Sequence, residues 1–323
     1  MNRMLRNENR FAAAARKAMP AALAGLSLLV ARPAAAMFED LAVAPRARAI
    51  GEATTATIDD AWAFYYNPAM LSRLAMPQAA FTTVEPNGLG FNRLSSAAVA
   101  FPLRGRGGAL AVGYRNYGVD YGDVQLQSEN TLSVAQGFHL FGDASTSASI
   151  GWALNFYHAE FATSVGASGD GSNGIDPGSA WTVGLDLGGL VTVYERTRVG
   201  FYTRNLNSPV IGDDEEELRQ MVAAGIAYEP VPGVTTAVDL RNVLGEAFRF
   251  CGGLEFEIVP QFELRAGIET QPNQVTGGFG IRLPVLTLDY GFSTGGGVLD
   301  ASHHFGVGLR WDRGTTPAPE ANP

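Results

Sequence analysis

Lysine and cysteine are nearly missing from this chain: Lys17 and Cys251 are single occurrences in 323 residues. A lone cysteine excludes an intramolecular disulfide and any cysteine metal cluster. Charged residues make up only 17% of the chain and the formal net charge is −9. The basic face that nucleic-acid binding requires is therefore not available. Beyond residue 36 no apolar run reaches the roughly 20 residues of a bilayer-spanning helix. What the chain holds in quantity is glycine, 39 residues, and hydrophobic residues, 46%.

The first 36 residues stand apart in composition. Arg3, Arg6, Arg10, Arg16 and Lys17 form a positive start, Ala18 to Ala31 is apolar, and Ala34, Ala35 and Ala36 give a small-residue cleavage pattern. That order is the signature of an export signal; Arg32 beside the expected cut is atypical, and an N-terminal anchor is the alternative reading. Removing residues 1–36 leaves 17 arginines, no lysine and 31 Asp plus Glu. An exported chain of this kind is soluble in the periplasm, secreted, or an outer-membrane barrel.

From about residue 78 apolar and small or polar residues alternate with the period of two expected of strands. Phe262, Leu264, Ala266 and Ile268 share one face, and Glu263, Arg265, Gly267 and Glu269 share the other. The same reading gives segments at 78–85, 94–103, 108–117, 124–138, 146–161, 179–192, 197–206, 218–229, 233–243, 248–259, 261–270, 274–283, 285–293 and 302–312. A soluble sandwich also alternates, so three further features decide. Most segments reach about ten residues, the length that crosses a bilayer at a tilt, whereas soluble strands average about 5–6. The connections alternate: Glu85–Arg93, Gly118–Asp123, Thr163–Pro177, Asn207–Glu217 and Thr294–Ala301 are long, while Arg104–Gly107, Val193–Arg196, Pro230–Pro232, Pro260 and Pro284 are tight. Outer-membrane barrels show this asymmetry and an even strand number. Finally, the polar faces are rich in glycine, which marks the close approach of another backbone. The expectation is an all-β transmembrane antiparallel barrel of about fourteen strands over residues 77–313, with its lumen filled. Tyr114, Tyr117, Phe161, Tyr228 and Trp311 are the candidates for interfacial aromatic girdles.

Residues 37–76 lack the strand pattern. Ala47, Ala49, Gly51, Ala53 and Ala56 make the run small-sided. Asp59 and Asp60 can cap a short helical turn over Ala61–Tyr65, which Asn67-Pro68 ends because the residue before proline avoids the helical region. A compact segment of this sort ahead of a barrel is expected to fold as a plug within it.

The stretch Ala44-Pro45-Arg46-Ala47-Arg48-Ala49-Ile50-Gly51-Glu52-Ala53, then Asp59-Asp60-Ala61-Trp62-Ala63-Phe64-Tyr65-Tyr66-Asn67-Pro68-Ala69 and Leu71, resembles the start of PorV/PorQ-type proteins. These belong with the FadL-like outer-membrane proteins, and the Asn-Pro-Ala triplet resembles the one in the FadL hatch. The close match spans about 30 residues; the rest agrees only in strand number and layout. The resemblance implies a fourteen-stranded barrel in the outer membrane, with hatch positions at Arg46, Arg48, Gly51, Asp59, Asp60, Asn67, Pro68 and Ala69. It also implies either transport of hydrophobic small molecules, as FadL members perform, or service to protein-secretion machinery, as PorV members perform. A non-conducting scaffold barrel that presents outer loops to partners is the alternative. Outer-membrane lipid is the expected surrounding in each case.

The inward faces depart from a simple fatty-acid passage. They carry Arg115, Asp186, Arg204, Asp239, Arg241, Arg249, Glu255, Glu257, Glu263, Arg265, Glu269, Arg282, Asp289 and Arg310. Opposite charges there are expected to pair with one another and with Arg46 and Arg48, because an unpaired charge in a narrow lumen is costly; contact with a substrate is the alternative role. Asp213–Glu217 reads as a solvated acidic loop, with divalent-cation collection as the alternative. Asp170, Asn173 and Asp176 sit among glycines but lack the closing Glu of a calcium loop. His303 and His304 are adjacent on a strand and face opposite sides, so they cannot chelate one metal together. Gly277–Gly280 lies inside a strand and is no phosphate loop. No serine stands in a nucleophile motif, so neither catalysis nor a cofactor is expected. The Pro- and Ala-rich tail 314–323 reads as a disordered end.

Overall fold

The computed structural model describes residues 37–311, apart from 123, 144, 165–172 and 296–299. The expected export signal, the tail 314–323 and most of the glycine-rich stretch after Gly166 lie outside the described residues.

Between Gln78 and Arg310 the period-two sequence becomes sheet. The strands are β1 (Gln78–Glu85), β2 (Asn92–Pro102), β3 (Ala109–Tyr121), β4 (Val124–Gly142), β5 (Thr146–Phe161), β6 (Ser179–Val193) and β7 (Thr197–Arg204). A short ribbon follows, β8 (Val210–Ile211) with β9 (Glu216–Glu217). The remainder are β10 (Met221–Val231), β11 (Val234–Val243), β12 (Arg249–Val259), β13 (Phe262–Glu269), β14 (Gln274–Arg282), β15 (Leu286–Ser293) and β16 (Ser302–Arg310). All but the ribbon pair antiparallel with their sequence neighbours. β1 closes on β16 from Gln78 opposite Arg310 to Glu85 opposite His303, giving a closed barrel of fourteen strands.

Closure removes the barrel's sheet edges and pairs each of its fourteen strands on both sides. Two different ends result. Chain reversals at one end are tight: Gly108, in the left-handed region at φ 59°, lies so close to the Gly137 carbonyl that a Cβ would overlap it. The other end carries the longer connections. β3 and β4 run further than the sequence pattern indicated, so their long connection is a tall hairpin instead of an irregular loop. The acidic stretch is likewise not an open loop. Ile211 and Leu218 turn inward and are buried with Phe38 and Tyr157, leaving Asp213, Asp214 and Glu215 exposed at the tip.

The outer wall is apolar and uncovered. Val238, Leu240, Leu254, Phe256, Leu264 and Ile268 form one continuous patch across β11–β13. Water-soluble monomers rarely expose contiguous apolar patches above a few hundred Å², and each Å² left in water costs roughly 25 cal/mol. On β3–β6 the apolar wall stops at a polar row, where Asn116 Nδ2 donates to Asn130 Oδ1 at 2.9 Å and the His158 ring lies over Trp181. Exposed Tyr114 and Trp181 stand at this boundary, and Tyr228 and Trp311 are also outward. Tyr117 and Phe161, expected in a girdle, instead face inward, Tyr117 against the buried plug cluster and Phe161 beside Ile211 and Leu218.

Candidate functional site

The interior is built by residues 37–76, which the barrel surrounds. Two short helices, Pro45–Ala49 and Ala63–Tyr66, and a 3₁₀ segment, Pro68–Arg73, account for its regular structure. Pro45 opens the first, in the position where its missing N–H costs nothing. The Asp60 carboxylate accepts the Trp62 N–H at 2.8 Å, an Asx turn that leads into the second helix two residues later than the sequence suggested. Asn67 is extended, ends that helix, and its Oδ1 accepts the Ala69 N–H at 3.1 Å to start the 3₁₀ segment. Its Nδ2 donates to the Thr55 carbonyl at 2.7 Å and to the Gly189 carbonyl of β6 at 3.2 Å. Asn67, Pro68 and Ala69 thereby tie the segment to itself and to the wall.

Side chains that would collide are missing where the segment meets the wall. A Cβ on Gly151 or Gly188 would overlap the Asn67–Ala69 backbone or the Asn67 amide. One on Gly200 would overlap Thr55, and one on Gly253 would press on Ile50. Gly291 meets Pro45 in the same way. Gly51 works from the other side: its φ is 62°, and a Cβ there would lie within 2.8 Å of wall backbone at Gly252 and Ile268. The glycine content of the inward faces is thus a steric requirement of the filled bore.

Charge joins the two parts. Arg46 is bidentate on Glu255, with Nε to Oε1 and Nη2 to Oε2 both at 2.8 Å, and also donates to Asp59 at 3.0 Å. Arg48 donates to Glu269 at 2.9 Å. Arg265 reaches Glu255 at 3.1 Å, Glu263 at 2.7 Å and Asp289 at 2.5 Å, while Arg282 holds Glu263 and Arg249 holds Glu269. The structure therefore brings Arg249, Glu255, Glu263, Arg265, Glu269, Arg282 and Asp289 into one network with the first plug helix.

The other inward charges behave differently. Arg204 donates to Asp40 at 2.6 Å and stacks on Tyr65, and Arg241 bridges Asp40 at 3.0 Å and Glu52 at 3.2 Å. Asp186 and Asp239 are not ion-paired as expected: Asp186 accepts from the Tyr202 hydroxyl and the Asn205 N–H, both at 2.8 Å, and Asp239 accepts from Thr55 through N–H and Oγ1. Arg115 lies over the Tyr65 ring. Glu257 keeps the inward parity but sits exposed at the strand end, and Arg310 donates to the Leu283 carbonyl at 3.1 Å. Asp40, Glu52, Thr55 and Tyr65 were not singled out from sequence; Asp40 lies between an apolar pair and a helix, with no local pattern to mark it. Burial works against its charge, but Arg241 and Arg204 prevail and hold its carboxyl well below the usual carboxylate range.

Free space is divided. The middle of the bore, between Tyr65, Tyr157 and Arg204, holds only about 10 Å³, no more than about one water needs. A polar space of about 130 Å³ lies at the loop end beside Asp40, Arg241 and Arg249. A larger cavity of about 270 Å³ lies at the tight-turn end, between Trp62, Arg73 and Met76 of the plug segment and β13–β16 with β1.

Comparison with protein families finds no match, and neither does comparison with curated proteins. Solved structures do match. The toluene transporter TbuX of Ralstonia pickettii aligns with a TM-score of 0.60 at 14% identity, covering 83% of this chain and 98% of that one. A monoaromatic hydrocarbon channel, CymD, aligns with the same score at 12% identity, over 83% and 97%. A FadL homologue of Pseudomonas aeruginosa follows at 0.53 and 12%, over 84% and 98%. These likenesses establish the fold: a fourteen-stranded barrel of the kind FadL-type proteins have. They do not extend to PorV or PorQ proteins in particular.

Proposed function

We propose that this chain is an outer-membrane barrel through which small hydrophobic compounds pass, its N-terminal segment acting as the plug that controls passage. The observation that carries the reading is a filled bore inside an apolar, uncovered outer wall. Structural neighbours with the same fold are a toluene transporter and a monoaromatic hydrocarbon channel. The tight-turn end is then periplasmic and the loop end extracellular. Movement of the plug opens the path, because the mid-bore space among the described residues is only about 10 Å³.

Reconstitution in liposomes tests this. Uptake of labelled toluene or a labelled fatty acid should exceed that of empty liposomes several-fold. Uptake equal to empty liposomes contradicts the reading.

A second reading, a secretion accessory of PorV type or a non-conducting scaffold, is supported by the charged and closed interior and by the extended hairpin and ribbon at the loop end. Capture of secretion-machinery proteins on the loop end, together with no uptake, favours it.

A further inference from the structure

The cavity at the periplasmic end has a chemistry that toluene does not need. Part of the lining is apolar: Ala44, Ala61, Trp62, Met76 and Ala80. The rest includes five arginines, 46, 73, 265, 282 and 310, and three aspartates, 59, 60 and 289. Most of these charges are already spoken for. Arg46, Arg265 and Arg282 are bonded to Asp59, Asp289 and the inward glutamates 255 and 263 of β12 and β13. Asp60 accepts the Trp62 N–H and lies 3.7 Å from Arg46.

Two guanidiniums remain. Arg73 approaches a carboxylate only at 3.9 Å, from Asp59. Arg310 donates to the Leu283 carbonyl, and its buried Nε has no partner. A planar guanidinium is suited to grip a carboxylate. The volume, about 270 Å³, is that of roughly nine waters at about 30 Å³ each.

We infer that this cavity, lined by Trp62, Arg73 and Arg310, is a binding site for a compact organic anion, one carboxylate on an apolar or aromatic body. The site rests on the proposed orientation only for its placement at the periplasmic end; binding itself needs no transport. Gly308 lines the cavity. A Cβ there meets its nearest neighbours, Thr287 Cβ at 3.5 Å and the Ala79 carbonyl at 3.8 Å, at ordinary contact distance, so a larger side chain at 308 is the steric probe of the space.

Calorimetric titration of the full protein in detergent tests the site, with sodium benzoate as probe, and benzyl alcohol and inorganic phosphate as its neutral and apolar-free counterparts. Benzoate should saturate at one per chain and bind at least tenfold more tightly than either counterpart. Arg310→Gln and Arg73→Gln should each weaken benzoate about tenfold and leave benzyl alcohol unchanged, and Gly308→Leu should abolish both. Heat-modifiable gel migration reports folding of each variant; if the variants do not fold, the three-probe comparison on the unaltered protein decides alone. No saturable benzoate binding, benzyl alcohol or phosphate binding as tightly as benzoate, or unchanged affinity in folded variants overturns the inference. Because no membrane is crossed, these outcomes are independent of liposome uptake.

Discussion

Asp40 joins two strands to the plug through a single carboxylate, bonded to Arg204 on β7 and Arg241 on β11. Removing one member of a buried ionic cluster leaves the others uncompensated, at a cost on the order of 3 kcal/mol. Asp40→Asn is therefore expected to lower the denaturant midpoint of the detergent-folded protein by that order and to open Arg46 and Arg48 to trypsin. The pH response follows from the same pair of arginines. They depress the Asp40 carboxyl, so its stabilising contribution is complete above about pH 4, the unfolded value. It is lost only as pH falls through the depressed folded value. Trypsin resistance of the plug should be the same at pH 7 and pH 5, as far as Asp40 governs it; release of the plug on that modest acidification would show that this latch is not what holds it.

Neighbouring glycines on β6 separate the demands of strand and plug. Gly188 points inward, and a Cβ there would overlap the Asn67 side chain; Gly189 points outward, with nothing within 4 Å. Gly188→Ala is expected to cost about 1–3 kcal/mol as overpacking, whereas Gly189→Ala should be neutral or slightly stabilising in the strand. Equal denaturant midpoints for the two variants would contradict the close approach of plug and wall. Strands of this length were legible because alternation persists over eight to nineteen residues, and the glycines on the polar faces announced a second backbone. The β8–β9 ribbon was not legible, since two residues carry no period. Nor were the inward turns of Tyr117 and Phe161: both follow strand parity, but strand-end position alone had suggested the membrane interface. The Arg46–Glu255 and Arg48–Glu269 bonds could be anticipated as a class, charge against charge, but their pairing spans more than 200 residues of sequence. Asp239 taking hydroxyl and amide donors from Thr55 in place of an arginine was beyond any count of charges.

For the whole molecule, greasy residues face out from a closed wall and the bore is occupied by the chain's own first described segment. Conductance across a planar bilayer tests that arrangement most directly. The unaltered protein should pass almost no ionic current, because the mid-bore space is no more than about one water needs. A variant lacking residues 41–74, its folding verified by heat-modifiable migration, should show large, stable conductance steps. If the unaltered protein already conducts as an open pore, or if the folded variant conducts no more than its parent, the segment does not fill the bore.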